Sequence, residues 1–221
     1  MKVSAVVPAK GSSERVTNKN LEKINGKTLV RRACEKLLAC DSIDDVYLDT
    51  EDERVKAAVR PLFSQGLDLI DRPPQLANND IGGNEMFVYA LHSIDETDIL
   101  VEHSCASPLI TAETIDSAIE EFVNKKQEYD SFLTVSSVKE YFWNEDGEPV
   151  NFSVAELPNS DNLDELFEET DGLYGIKTEE IIEQKRRVGE DPLLVKIPKL
   201  ESFDIDTPED MELVRRLAGN E

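Results

Sequence analysis

Short apolar runs and helix-spaced apolar positions alternate along the whole chain. Residues 3–7 form a β-branched apolar run closed by Pro8 and then Gly11-Ser12-Ser13, as in a buried strand followed by a loop. Leu29, Ala33, Leu37 and Leu38 recur at helical spacing across 28–40. A second strand is expected at 46–49, and Thr50-Glu51-Asp52 supplies an N-cap and first-turn acids for a helix running toward Phe63. A third strand covers 67–70, and Arg72-Pro73-Pro74 after it must be loop. Residues 84–94 read as a helix, 99–101 as a strand and Ser107-Pro108-Leu109 as a turn. Thr111 starts a helix with Thr114, Ile115, Ala118, Ile119 and Phe122 on one face, and 131–135 is a further strand.

The rhythm breaks at 139–170, which holds the only Trp, Gly147-Glu148-Pro149, Pro158 and a dense acidic run. This stretch is expected to be an excursion from the sheet within a single domain spanning 1–221. Beyond it, 173–176, 193–197 and 202–205 are strand-like and 208–218 is a closing helix; there is no internal repeat. Strands joined by helices predict an α/β fold, a mostly parallel sheet with helices on both faces. Ligands in such folds bind beyond the carboxyl ends of the strands, which selects the loops near residues 8, 50, 71, 103 and 205.

Charge narrows the partners. The 221 residues carry 24 Lys and Arg against 47 Asp and Glu, a net charge of −23. Broad binding to nucleic acid or to an anionic membrane surface is therefore not expected. Residues 1–40 nevertheless hold nine basic residues against three Glu, while 41–221 hold 15 against 44 acids. A polyanionic small molecule would be met by the first forty residues. No run nears the ~18 apolar residues of a membrane span, and the first strand pattern leaves no room for a secretory signal. Cys34, Cys40 and Cys105 form no CxxC pair and there are only two His, so a reducing, cytoplasmic location without a zinc centre is expected.

Two constellations carry candidate chemistry. The loop from Pro8 to Asn20 combines Gly11, which permits close backbone approach, with the cations Lys10, Arg15 and Lys19. A triphosphate carries about four negative charges, a proportionate match for three cations and a metal ion; the alternative is a solvated, flexible loop. Gly26-Lys27-Thr28 is not a P-loop, because Leu21 stands where that motif needs its first Gly. Near the end, Asp204-Ile205-Asp206 in a strand would set two carboxylates on one face, an oxygen site suited to Mg²⁺ or Mn²⁺. Alternatively, Asp206 or Thr207 merely caps the last helix, with Pro208 at its first position.

These segments, with Asp71-Arg72-Pro73, Leu76-Ala77, Asp80, Ser107-Pro108-Leu109 and 202–210, occur in the order seen in acylneuraminate cytidylyltransferases. From residue 3 to about 217 the chain resembles these CMP-sialic acid synthetases and relatives acting on other ulosonic acids. The resemblance implies a Rossmann-like nucleotidyltransferase fold of GT-A type, a three-layer sandwich, with CTP as donor and a divalent cation. It also implies a homodimer joined through 139–170, where Trp143 would pack a contact. By matching position, Ala9, Lys10, Gly11, Ser12, Ser13 and Arg15 would cradle the triphosphate, and Lys19 would sit against the α-phosphate. Arg72, Ala77 and Asp80 would lie around the cytidine, and Asp204 and Asp206 would hold the metal, with Lys19, Arg15 and Asp206 as the catalytic set.

The chain departs from the family on the acceptor side. Ser104-Cys105-Ala106 replaces a Gln/His-x-Thr type sequence before Ser107, and Asp171 stands where Asn is usual; Lys10 replaces Arg in the first loop. An added carboxylate at Asp171 would repel an anionic sugar acid unless it is paired. The expected function is transfer of CMP from CTP to an acidic sugar with release of pyrophosphate. A different anionic acceptor such as a phosphonate, or a catalytically silent nucleotide-binding module, remains open, and a nucleotide-sugar glycosyltransferase is disfavoured by the 10–19 loop. His103, near a strand end, is expected to be structural rather than an acid or base.

Overall fold

The apolar run at the start of the chain becomes β1 (Val3–Pro8), buried along nearly its whole length as the third strand of a seven-stranded sheet. The computed structural model describes residues 1–13, 15–78 and 80–219. After β1 come a small hairpin, β2 (Lys23–Ile24) and β3 (Lys27–Thr28), then α1 (Leu29–Leu37), β4 (Asp45–Thr50), α2 (Glu53–Val59), β5 (Leu67–Asp71) and α3 (Gly83–His92). β6 (Ile99–His103), α4 (Ala112–Lys125), β7 (Ser131–Val138), β8 (Leu166–Lys177), α5 (Thr178–Gln184), β9 (Pro192–Lys196) and α6 (Pro208–Ala218) complete the chain.

The sheet order is β5-β4-β1-β6-β8-β7-β9. β8 runs antiparallel to both its neighbours, and every other pairing is parallel. This is the mostly parallel α/β sheet that the alternation predicts. One face is covered by α1, α2, α4 and α6 through Leu29, Leu37, Val55, Ile119, Phe122 and Val214. The opposite face is covered by α3 and α5 through Phe87, Leu91 and Ile181, which meet Val6, Leu100 and Ile176 of the sheet. Local chemistry sets the helix starts. Thr28, Asp52, Thr111 and Thr207 each accept a backbone N–H from the first turn of α1, α2, α4 and α6.

Two expectations are corrected. Residues 202–205 form no strand: the segment crosses toward β6, and Ile205 N donates to Ala106 O with no ladder around it. An extended segment and a strand share the same alternation, so only the hydrogen-bond partners separate them. The excursion is also shorter than 139–170, because Leu166 to Glu169 pair with Val135 to Val138 and lengthen β7 and β8 into a two-stranded arm. α5 was not anticipated: its TEEIIEQ sequence buries Ile181 alone.

Candidate active site

Chain order reverses beside β1, with β4 and β5 on one flank and β6 on the other. At such a switch point the strand ends part and leave a crevice. A cleft of about 250 Å³ opens there, lined by Lys10, Lys19, Asn20, Arg72, Leu76 and Ser104, among others.

The glycine loop is held from behind by the end of β4. Ala9 N donates to Asp49 O at 2.9 Å, and Thr50 Oγ1 donates to Ala9 O at 2.6 Å. Gly11 N donates to Glu51 Oε1 at 2.7 Å, and Arg54 Nη2 donates to Gly11 O at 3.0 Å. Only glycine fits here, since a Cβ on residue 11 would lie 1.9 Å from Asp52 Oδ2. Asn20 Nδ2 fastens Lys10 O at 2.9 Å, while Ser12 is exposed and Ser13 half-buried.

Lys19 follows Asn18, whose left-handed backbone (φ 53°) turns the chain back toward the cleft. Its Nζ donates to Ile205 O at 2.7 Å and lies 3.8 Å from Asp206 Oδ1. Arg15 Nη2 meets the same oxygen at 2.7 Å. Asp204 Oδ1 accepts from Ser107 Oγ at 2.9 Å. Burial raises the Asp204 carboxyl; Lys19 and the Ser107 hydrogen bond pull it down, and Asp206 and Asp171 push it up. So Arg15, Lys19, Asp204 and Asp206 do converge, although not on a strand. Thr207 and Pro208 serve the helix cap, and Asp206 joins it only through its amide, which donates to Asp210 Oδ2 at 3.1 Å, leaving its carboxylate outside.

The carboxylates of Asp204 and Asp206 flank the buried Ile205. Among the described residues no group of three or more ligating His, Cys, Asp or Glu forms. Mg²⁺ commonly takes one or two carboxylates and fills its other positions with substrate phosphates and water. The pair fits an ion shared with a polyphosphate rather than one caged by protein.

Arg72 lines the cleft but is committed to Asp49, through Nε–Oδ1 at 3.0 Å and Nη2–Oδ2 at 2.7 Å. The turn at Ala77 brings Leu76 and Asn78 to the cleft wall, and the exposed Asp80 donates its amide to Asn78 Oδ1. On the acceptor side Ser104, Cys105 and Ala106 line the cleft, and Ser107 is occupied by Asp204. Asp171, in the left-handed region (φ 53°), is paired: Arg187 Nη2 lies 3.0 Å away, and Tyr174 Oη donates to it at 2.6 Å. Arg187 also meets Glu102 at 3.2 Å and lies 4.0 Å from Glu169, so one guanidinium is shared among three carboxylates and meets the Asp171 charge in part.

Sequence reasoning missed Asp49, Glu51, Glu102 and Arg187. Glu102 could have been flagged, being the one carboxylate inside the apolar run of β6. Arg187 lies in an irregular segment after α5, and its partner Glu102 is 85 residues away, so nothing local marks it. Its guanidinium also stacks 3.9 Å from the Tyr174 ring centroid. His103 is structural, as expected. It is fully buried and its Nδ1 lies 2.8 Å from Gly172 O, so that nitrogen carries the hydrogen. Nε2 then faces Lys36 Nζ at 3.4 Å, and burial pushes the His103 pKa down to about 3.

Glu102 and His103 give the stability a pH signature. Burial raises Glu102 from 4.5 to about 7, against the pull of Arg187. The native state then holds a proton that the unfolded chain releases, so this stabilisation is complete below about pH 4.5 and lost as pH rises through about 7. His103 acts oppositely, with a stabilising effect that is lost as pH falls from about 6.5 toward 3. Glu102→Gln should therefore gain thermal stability relative to wild type as pH rises from 4.5 to 7, read as a difference in Tm. Parallel Tm profiles would refute the assignment.

A profile of the family described as "Cytidylyltransferase" matches residues 4–221. The 3-deoxy-manno-octulosonate cytidylyltransferase of Geotalea daltonii is 27% identical over 97% of each chain. The pseudaminic acid cytidylyltransferase of Campylobacter jejuni is 22% identical over 98% of this chain and 96% of that protein. A match to 3-deoxy-manno-octulosonate cytidylyltransferase 2 of Hydrogenovibrio crunogenus, 28% identical, spans 62% of this chain and only 53% of that protein. Among solved structures, CMP:2-keto-3-deoxy-manno-octonic acid synthetase complexed with CTP superposes with a TM-score of 0.69 at 18% identity, covering 100% and 99% of the two chains. A 4-diphosphocytidyl-2C-methyl-D-erythritol synthase from Anaerococcus prevotii gives 0.67 at 12% identity, covering 99% and 96%. These last two similarities speak to the fold.

Proposed function

This chain belongs to the cytidylyltransferase family, a family of CTP-dependent nucleotidyltransferases, and we propose that it transfers CMP from CTP to an acidic sugar of the ulosonic-acid class, releasing pyrophosphate. The observation that carries this reading is the convergence of the glycine loop, Arg15 and Lys19 with Asp204 and Asp206 at the open end of β1.

An acceptor oxygen attacks the α-phosphorus in line, and pyrophosphate leaves with the displaced oxygen. The protein's part is to align the two reactants and to neutralise charge. Arg15 is free to change partners cheaply: its ion pair with Asp206 is 67% and 44% exposed on its two side chains, and exposed pairs are worth about 0–1 kcal/mol. An incoming triphosphate therefore competes for Arg15 at little cost. Lys19 differs, because Ile205 O holds it on the floor of the cleft, where it meets charge gathering on the α-phosphate. Asp204 and Asp206 would hold a Mg²⁺ or Mn²⁺ ion, which supplies further neutralisation of the phosphates when bound. Lys10 and Lys19 line the cleft together with Ser104 and Ala106 and supply positive charge next to the acceptor wall, while Asp171 is paired with Arg187 and Tyr174.

We also infer a cytoplasmic homodimer. Tyr141, Phe142, Trp143, Val150, Val154 and Leu157 of the excursion are exposed together, an apolar patch suited to a second copy. Among the described residues no helix is long and apolar enough to cross a membrane.

The test incubates the purified protein with CTP, Mg²⁺ and a panel of acceptors: 3-deoxy-manno-octulosonate, a sialic acid, pseudaminic acid and a phosphonate. Pyrophosphate released with an acid sugar is the expected result. Turnover with the phosphonate alone would reassign the acceptor, and CTP binding without any turnover would favour a silent nucleotide-binding module. Neither binding nor turnover of CTP would overturn the reading altogether.

A further inference from the structure

We propose that Asp49 is a positioning residue for nucleotide choice: by gripping one edge of the Arg72 guanidinium it turns the other edge toward the base and so sets a preference for CTP over UTP. This inference rests on the CTP reading above.

Asp49 is the penultimate residue of β4 and Arg72 follows β5 directly; Arg72 N is tied to Thr50 O at 3.2 Å. Both side chains are buried, at 1% and 4% exposure. The contact is two-pronged: Nε donates to Oδ1, and Nη2 donates to Oδ2 and, at 3.1 Å, to Asp49 O. Three of the five guanidinium N–H groups are thereby spent on one residue, and their geometry fixes the plane of the fork. No hydrogen bond among the described residues uses the remaining nitrogen, Nη1. Its acidic neighbour Glu51 Oε2 stands 4.0 Å away, adding a second carboxylate to the field that holds the fork in place.

A buried ion pair is poor evidence for a stabilising role. Desolvating two charges costs several kcal/mol, and an apolar pair of the same volume often folds as well. The location of this pair gives it another use. Arg72 lines the cleft with Leu76 and Asn78, so what it can offer a ligand there is a donor whose direction Asp49 has already set. Cytosine presents N3 as a bare acceptor, whereas uracil presents an N3–H donor. A fixed donor pairs with the first and repels the second. A guanidinium free to rotate would lose that distinction, since it could turn to uracil's carbonyl oxygens instead.

The test measures initial rates with CTP and UTP, after calorimetry of wild-type binding, for D49N, R72Q and the double variant. D49N is expected to raise KM for CTP by on the order of tenfold, the scale on which such supporting partners act. The rise should exceed any fall in kcat, and the CTP:UTP preference should shrink by a similar factor. The double variant should be no worse than R72Q alone, as required if Asp49 acts through Arg72. A D49N protein with a lower Tm but wild-type KM and CTP:UTP preference would overturn the proposal, as would additive effects in the double variant. Should D49N fail to fold, R72K carries the test: it keeps the charge against Asp49 but has no second edge, so an undiminished CTP preference refutes the proposal. Wild-type protein that binds neither nucleotide would fail the parent reading first, a result visible before any variant is made.

Discussion

Lys19→Met should lower kcat for pyrophosphate release by about 10²–10³-fold, with a much smaller change in KM for CTP. Methionine keeps the apolar stem and removes the ammonium. That ammonium is firmly seated: Nζ is anchored to Ile205 O at 2.7 Å, with Asp206 beside it at 3.8 Å and a side chain only 17% exposed. A preorganised charge of this kind acts mainly where negative charge builds during transfer, so its loss falls on kcat rather than on ground-state binding. Lys19→Arg should recover part of the rate, limited by a bulkier head in a seat shaped for a point charge. Circular dichroism must be unchanged, because Lys19 also ties the early loop to the late segment. Rates for Lys19→Met within threefold of wild type would remove this residue from the chemistry.

Gly175→Ala should cost about 1–3 kcal/mol of stability by overpacking, seen as a fall in Tm of roughly 2–4 °C per kcal/mol for a chain of this length. Gly175 sits in β8 between Val101 of β6 and Phe132 of β7. A Cβ there would fall 2.0 Å from Phe132 Cε1. The ring cannot retreat, since it is fully buried and stacks on Phe122 of α4 with centroids 5.2 Å apart. Replacing glycine ordinarily gains about 0.4–1 kcal/mol through the unfolded chain, so the clash must outweigh that gain for the sign to hold. Pairing the change with Phe132→Leu should restore part of the loss. A Tm that stays level or rises in Gly175→Ala would show that the sheet yields where the close contact says it cannot.

Much of this molecule is legible in its residues because burial on both sides of a parallel strand leaves an unbroken apolar run. β1, β4 and β6 announce themselves in that way, and the loops at their carboxyl ends follow. Arg15 and Lys19 follow β1, Asp204 and Asp206 lie in the late Asp-Ile-Asp segment after β9, and the four meet in space. The errors have one physical source, dependence on partners far along the chain. The extended 202–206 segment carries the alternation of a strand, but its backbone partner is a loop carbonyl at Ala106. Leu166 to Glu169 look like acidic loop because they are exposed, yet β7 supplies them with a ladder. Arg72 lines the cleft, and only the fold reveals that most of its donors are taken by Asp49. Asp171 is expected to repel an anionic acceptor unless it is paired, and nothing local in the sequence marks Arg187 as its partner.

The bond from Lys19 to Ile205 spans 186 positions of sequence, and Asn25 and Arg215 add further ties between the first strands and the last helix. On a ribosome adding about 5–20 residues per second, roughly 10–40 s separate the making of the cationic loop from the arrival of the carboxylates that complete it. A nascent chain thus carries the cationic loop while Asp204 and Asp206, which face it in the folded protein, do not yet exist. A product that stops short of residue 204 would keep the cations of the early loop without the carboxylates that face them in the folded protein.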